Sequence, residues 1–78
     1  MSTILLRHMT KHQHGTIATV NVAGELGRRI REMGLIPGTE ITICGRAPLN
    51  DPIALRLQDS TITLRNNEAD HILVQVEP

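Results

Sequence analysis

Alternating apolar and polar positions mark most of the chain after Gly15 as short β-strands. The segments with this pattern are 15–22 (GTIATVNV), 40–46 (EITICGR), 53–58 (IALRLQ), 60–65 (STITLR) and 71–76 (HILVQV). Successive side chains point to opposite faces of a strand, so alternation predicts one buried and one exposed face. The pattern therefore predicts five strands.

A different period, between residues 25 and 33, predicts one short α-helix after the first strand. Leu26, Ile30 and Met33 are spaced as i, i+4 and i+7, which places them on one face. Gly34 follows directly and can adopt the left-handed conformation of a helix stop. Residues 36–39, IPGT, then place Pro and Gly where a type II turn requires them. We expect the chain to reverse there and enter the next strand.

The opposite face of this helix carries charged residues. Glu25 precedes Arg29 by four residues, and Arg28 precedes Glu32 by the same interval. Opposite charges at this spacing are neighbours on a helix surface. We expect both pairs to form.

Five short strands, one helix and frequent turn signals predict a mainly β fold, a small partly open barrel. Residues 1–14 show no clear period and are interpreted as an N-terminal arm, with the domain at 15–78. A chain of 78 residues is long enough for one domain. It contains no Phe, Tyr or Trp, so its core must be aliphatic.

Charge and composition argue against several function classes. Eight Lys and Arg balance eight Asp and Glu, and no aromatic side chain is available for stacking on bases, so we expect no nucleic-acid binding. The longest apolar run, residues 4–6, is too short to insert into a membrane. Cys44 is the single cysteine, which excludes an internal disulfide and fits a reducing, cytoplasmic compartment.

No motif predicts catalysis. Cys44 lies on a predicted strand without a nucleophile motif, and the chain has no Gly-rich phosphate loop, so we expect neither an enzyme nor a cofactor. His8, His12 and His14 raise the possibility of a metal site. Because nothing predicts a helical arm and no carboxylate lies near them in sequence, we predict no metal site.

Residues 26–74 resemble the FeoA family, small cytosolic proteins that accompany the bacterial ferrous-iron permease FeoB. The resemblance is carried by MGLIPGTEI, APLNDPI and LRNNEADHILV. It implies an SH3-like β-barrel and a protein-interaction role on the cytosolic, nucleotide-binding part of FeoB. The same fold occurs as the C-terminal module of DtxR-type repressors, so a metal-sensing or repressor regulatory module is the alternative.

Two segments are predicted to bind the partner: Arg28, Arg29 and Glu32 on the helix, and Leu49, Asn50 and Asp51 in the loop APLNDP. Prolines stiffen both ends of this loop, which lowers the entropy lost on binding. Two interpretations of Leu49 remain: an exposed anchor for the partner, or a side chain that folds back to close one end of the barrel. An exposed barrel edge could also pair weakly with a second copy.

Overall fold

The computed structural model describes residues 2–49 and 51–77, and most of its regular structure is β. The elements are β1 (Ser2–Leu5), a 3-10 helix (Leu6–His8), β2 (His14–Val20), α1 (Gly24–Glu32), β3 (Glu40–Arg46), β4 (Ile53–Arg56), β5 (Thr61–Leu64), α2 (Asn66–Ala69) and β6 (Ile72–Val76). The five strands predicted from alternation correspond to β2 through β6.

All strands join one antiparallel sheet in the order β1-β6-β2-β3-β4-β5. The last strand of the chain therefore lies between the first two. β1 and β5 form the two edges, and no pairing between them closes the sheet within the described ranges. The sheet is accordingly a partly open barrel.

The core is entirely aliphatic, with one Met. Its buried members come from every strand except β1, and from the 3-10 helix and both α-helices. They are Leu6, Met9, Ile17, Ile30, Leu35, Ile41, Ile43, Ile53, Leu55, Leu64, Ala69, Ile72, Val74 and Val76. The alternation thus predicted the buried faces of β3, β4 and β6 correctly.

The end of α1 and the following turn confirm the local predictions. Gly34 has φ of 95°, its N–H donates to the Arg31 carbonyl at 2.9 Å, and the Leu35 N–H donates to the Ile30 carbonyl at 3.3 Å. These two bonds define a Schellman stop. Gly38, also with φ of 95°, occupies the position where a type II turn requires a positive φ. The chain then enters β3.

The N-terminal segment differs from the expected arm. Residues 2–5 form a sixth strand that pairs with β6, and the buried Leu6 and Met9 belong to the core. Arg46 of β3 holds this segment by donating to the Arg7 carbonyl and, at 3.0 Å, to the Met9 carbonyl. An edge strand has a neighbour on one side only, and β1 does not alternate in burial, which is why its sequence carried no period. Consequently α1 follows the second strand instead of the first.

Candidate interaction surface

The exposed face of α1 presents Arg28, Arg29 and Glu32 to solvent, as predicted. The expected ion pairs are wrong. Arg28 binds Glu25, three residues before it, at 2.7 Å. The side chain of Arg29 contacts Glu68 in α2 instead of a residue of its own helix. The Arg28 and Glu25 side chains are 64% and 72% exposed, so their pair contributes at most about 1 kcal/mol.

Arg29 is anchored by Glu68 of α2. Its guanidinium donates to Glu68 Oε2 at 2.6 Å, while Glu68 Oε1 accepts the backbone N–H of Arg65 at 2.9 Å. The Glu68 side chain is only 8% exposed, although that of Arg29 is 61% exposed. The buried Glu68 carboxylate thus orients the exposed Arg29 side chain. No local pattern in the sequence signals this contact, because Glu68 and Arg29 are 39 residues apart.

The loop between β3 and β4 is held at both of its described ends. The Ala47 N–H donates to the Pro52 carbonyl at 3.1 Å, and the Asp51 carboxylate accepts the backbone N–H of Asn66 in α2 at 3.0 Å. Leu49 is 89% exposed. The interpretation that Leu49 folds back to close the barrel is therefore wrong. Asn50, the third predicted residue of this loop, lies outside the described residues.

The short helix α2 brings the two predicted segments together. It binds Arg29 through Glu68 and Asp51 through Asn66. Arg29 and Pro52 also line one cavity of about 260 Å³, which we call the notch. The notch is lined by Arg29, Met33, Pro52, Thr63, Arg65 and Glu68. The exposed face of α1 and the loop are consequently neighbours, a relationship that sequence alone left undecided. We use the term docking surface for Arg28, Arg29, Glu32, Leu49 and Asp51.

Other candidate groups lie elsewhere. His8 ends the 3-10 helix and His14 begins β2, so the histidines do not share a helix face. Over residues 2–49 and 51–77, no group of three or more His, Cys, Asp or Glu side chains is placed to hold a metal ion. An open cleft of about 1050 Å³, lined among others by His14, Glu40 and Arg56, lies at the opposite end of β4 from the loop.

Comparison with known proteins decides the family. The sequence profile of the FeoA domain matches residues 4–76. The chain belongs to the FeoA family. This confirms the resemblance found in residues 26–74, and it extends the family match over β1 and the 3-10 helix, which the sequence analysis had assigned to an arm.

One relative joins a FeoA part to a transporter. The chain is 38% identical over 60 residues to the Fe(2+) transport protein A/Fe(2+) transporter FeoB fusion protein of Porphyromonas gingivalis. The aligned region covers 77% of this chain and 7% of the fusion protein. The chain therefore corresponds to a small part of that relative.

Solved structures share the fold. The FeoA-like protein of Clostridium acetobutylicum is 38% identical, with a TM-score of 0.89 over 97% of this chain and 88% of that chain. FeoA of Stenotrophomonas maltophilia, named a prokaryotic SH3 domain protein and solved in complex with zinc, is 23% identical, with a TM-score of 0.78 over 96% of this chain and 91% of that chain. The second likeness shows the fold alone, and it confirms the SH3-like barrel.

No helix within the described ranges is both long enough and apolar enough to cross a bilayer.

Proposed function

We propose that this FeoA-family protein is a cytoplasmic accessory of ferrous iron uptake that docks on the cytosolic domain of a FeoB-type permease. It modulates transport by contact and carries out no catalysis of its own. The observation that carries the proposal is the fusion protein of Porphyromonas gingivalis, in which a relative of this chain and FeoB are one polypeptide. Fusion supplies a partner at high effective concentration, an arrangement suited to two modules that work together.

The docking surface supports this function because it offers an apolar anchor on a fixed loop. Leu49 exposes 89% of its area, and it lies between the two contacts that hold the loop, Ala47 to Pro52 and Asp51 to Asn66. A large aliphatic side chain gains about 1.5 to 3 kcal/mol when it is fully buried. Because the loop is already held, less of this gain is lost to ordering on binding.

The charged residues around Leu49 supply direction more than affinity. Arg28 is already paired with Glu25 in solvent, and exchanging such a pair for a partner contact gains little. Arg29 is different, since Glu68 holds it in place while most of its side chain remains exposed. Such fixed charges at the edge of an interface mainly raise the rate of association and suppress wrong partners.

Binding of the purified protein to the cytosolic domain of the FeoB of the same organism tests the proposal. We expect saturable binding in isothermal titration calorimetry, measured without nucleotide, with GDP and with a non-hydrolysable GTP analogue. Leu49→Asp should weaken this binding at least about tenfold, because it places a charge where an aliphatic side chain is buried. Its free energy of unfolding should stay within about 0.5 kcal/mol of the wild type, since Leu49 packs against little in the free protein.

Gln58→Asp is the matched control. It adds the same charge at an exposed position beyond the other end of β4, next to the open cleft and away from the docking surface. Its affinity should equal that of the wild type. Absence of wild-type binding in all three nucleotide states would refute the proposed function.

Sedimentation velocity of the free protein separately measures the weak self-pairing that the exposed edges of β1 and β5 permit.

A further inference from the structure

We infer that the notch between α1 and α2 receives an acidic side chain, Asp or Glu, from the partner protein. The inference rests on the proposed function, and it names the chemistry that the docking surface recognises. It follows from the charge, the free donors and the size of the notch.

The first step concerns the negative charge inside the notch. Glu68 is the single carboxylate among its lining residues. Both Glu68 oxygens are engaged, one by the Arg29 guanidinium at 2.6 Å and the other by the Arg65 backbone N–H at 2.9 Å. Asp51 does not line the notch, and its carboxylate accepts the Asn66 N–H outside it. Among the lining residues, Glu68 therefore neutralises one of the two arginines, which leaves one positive charge.

The second step concerns the donors that remain. A guanidinium carries five N–H groups, and the contact with Glu68 uses one nitrogen of Arg29. Arg65 is exposed, and its guanidinium forms no ion pair with any residue in the described ranges. Two arginines on one small cavity can contact a carboxylate with both of its oxygens, the geometry that guanidinium groups favour.

The third step concerns size and surroundings. At about 260 Å³ the notch is smaller than pockets for free small molecules, which run from about 300 to 1,000 Å³, and it suits one side chain. Met33 and Pro52 give it apolar walls, and Leu49 lies three residues before Pro52. A segment of a protein partner fits this combination.

Charge reversal at Arg65 tests the inference. We expect Arg65→Glu to weaken binding to the FeoB cytosolic domain about tenfold or more in the calorimetric assay, because it places like charges together in the interface. Arg56→Glu is the matched control, since Arg56 is equally an exposed arginine at a strand end but lines the separate open cleft. It should change affinity less than about twofold. Arg65→Gln removes the charge without adding another, so its affinity should lie between those of Arg65→Glu and Arg56→Glu.

Salt provides a second measurement. Wild-type affinity should decline between 50 and 300 mM NaCl, and the decline should be smaller for Arg65→Gln, because one screened charge contact is missing. Wild-type binding that Arg65→Glu and Arg65→Gln leave unchanged, while Leu49→Asp abolishes it, would overturn the inference and retain the proposed function. Absence of wild-type binding would overturn both. Far-UV circular dichroism of each variant confirms that it is folded before binding is compared.

Discussion

Replacing Glu68 by alanine tests how much more a buried carboxylate with a backbone contact contributes to stability than an exposed one. In the folded protein this carboxylate binds Arg29 from another helix and caps the backbone N–H of Arg65, with only 8% of its side chain exposed. Glu25 makes the same type of contact, an ion pair with Arg28, but with 72% of its side chain exposed. The chain thus offers two Glu–Arg pairs, of which only the first has a buried carboxylate that also accepts a backbone N–H.

The expected loss for Glu68→Ala is about 2.5 kcal/mol. The hydrogen bond to the Arg65 N–H accounts for about 1 kcal/mol. The Arg29 pair adds about 0.5 to 1 kcal/mol, since Arg29 is largely solvated and its charge is screened. The one methylene that alanine lacks, Cγ, adds about 0.8 kcal/mol when buried. A domain of this length has about 4 to 12 kcal/mol in total, so the variant should remain folded but clearly weakened.

Urea unfolding followed by far-UV circular dichroism measures this loss. Intrinsic fluorescence is unsuitable because the chain has no Trp or Tyr. Glu25→Ala is the control and should cost less than about 0.5 kcal/mol. Equal losses for Glu68→Ala and Glu25→Ala, or a loss below about 1 kcal/mol for Glu68→Ala, would refute the argument that burial sets the contribution.

Three glycines give further predictions by the same urea assay. A Cβ on Gly15 would lie 2.5 Å from the Gln75 carbonyl oxygen and 2.7 Å from Val74 Cγ1, so Gly15→Ala should lower the free energy of unfolding by about 2 to 3 kcal/mol. A Cβ on Gly45 would meet nothing within 4 Å, so Gly45→Ala should change it by less than about 0.5 kcal/mol. Equal effects would contradict the packing of β2 on β6. Gly38→Ala should cost about 1 kcal/mol because φ is 95°, and Gly38→Asn should cost less; the reverse order would exclude the positive-φ turn.

The features that the sequence predicted are those decided by near neighbours in the chain. The helix stop at Gly34 and the turn at Gly38 each depend on four to six consecutive residues, and both formed as expected. Strands β3, β4 and β6 could also be predicted from the sequence, because alternation indicates which face is buried without specifying the partner strand. The residues of the docking surface were named from these local elements, and their function stays a prediction.

The features that were missed depend on residues far apart in sequence. Strand β1 forms by pairing with β6, which lies far from it in sequence. The direction of the Arg29 side chain is set by Glu68, 39 residues away. Helical pairs three and four residues apart are similar in energy, so the sequence could not decide whether Arg28 pairs with Glu25 or with Glu32. The loop that carries Leu49 is held by a hydrogen bond from the Asn66 N–H to Asp51, another contact that no local pattern encodes.

The insertion of β6 between β1 and β2 has a consequence for biosynthesis. During translation the two N-terminal strands emerge first, yet neither can complete its hydrogen bonding until the C-terminal strand has left the ribosome. Pairing across nearly the whole chain is also entropically slow. We therefore expect these strands to fold all-or-none once β6 has emerged, and a nascent chain stalled before residue 72 to be sensitive to protease along its entire length.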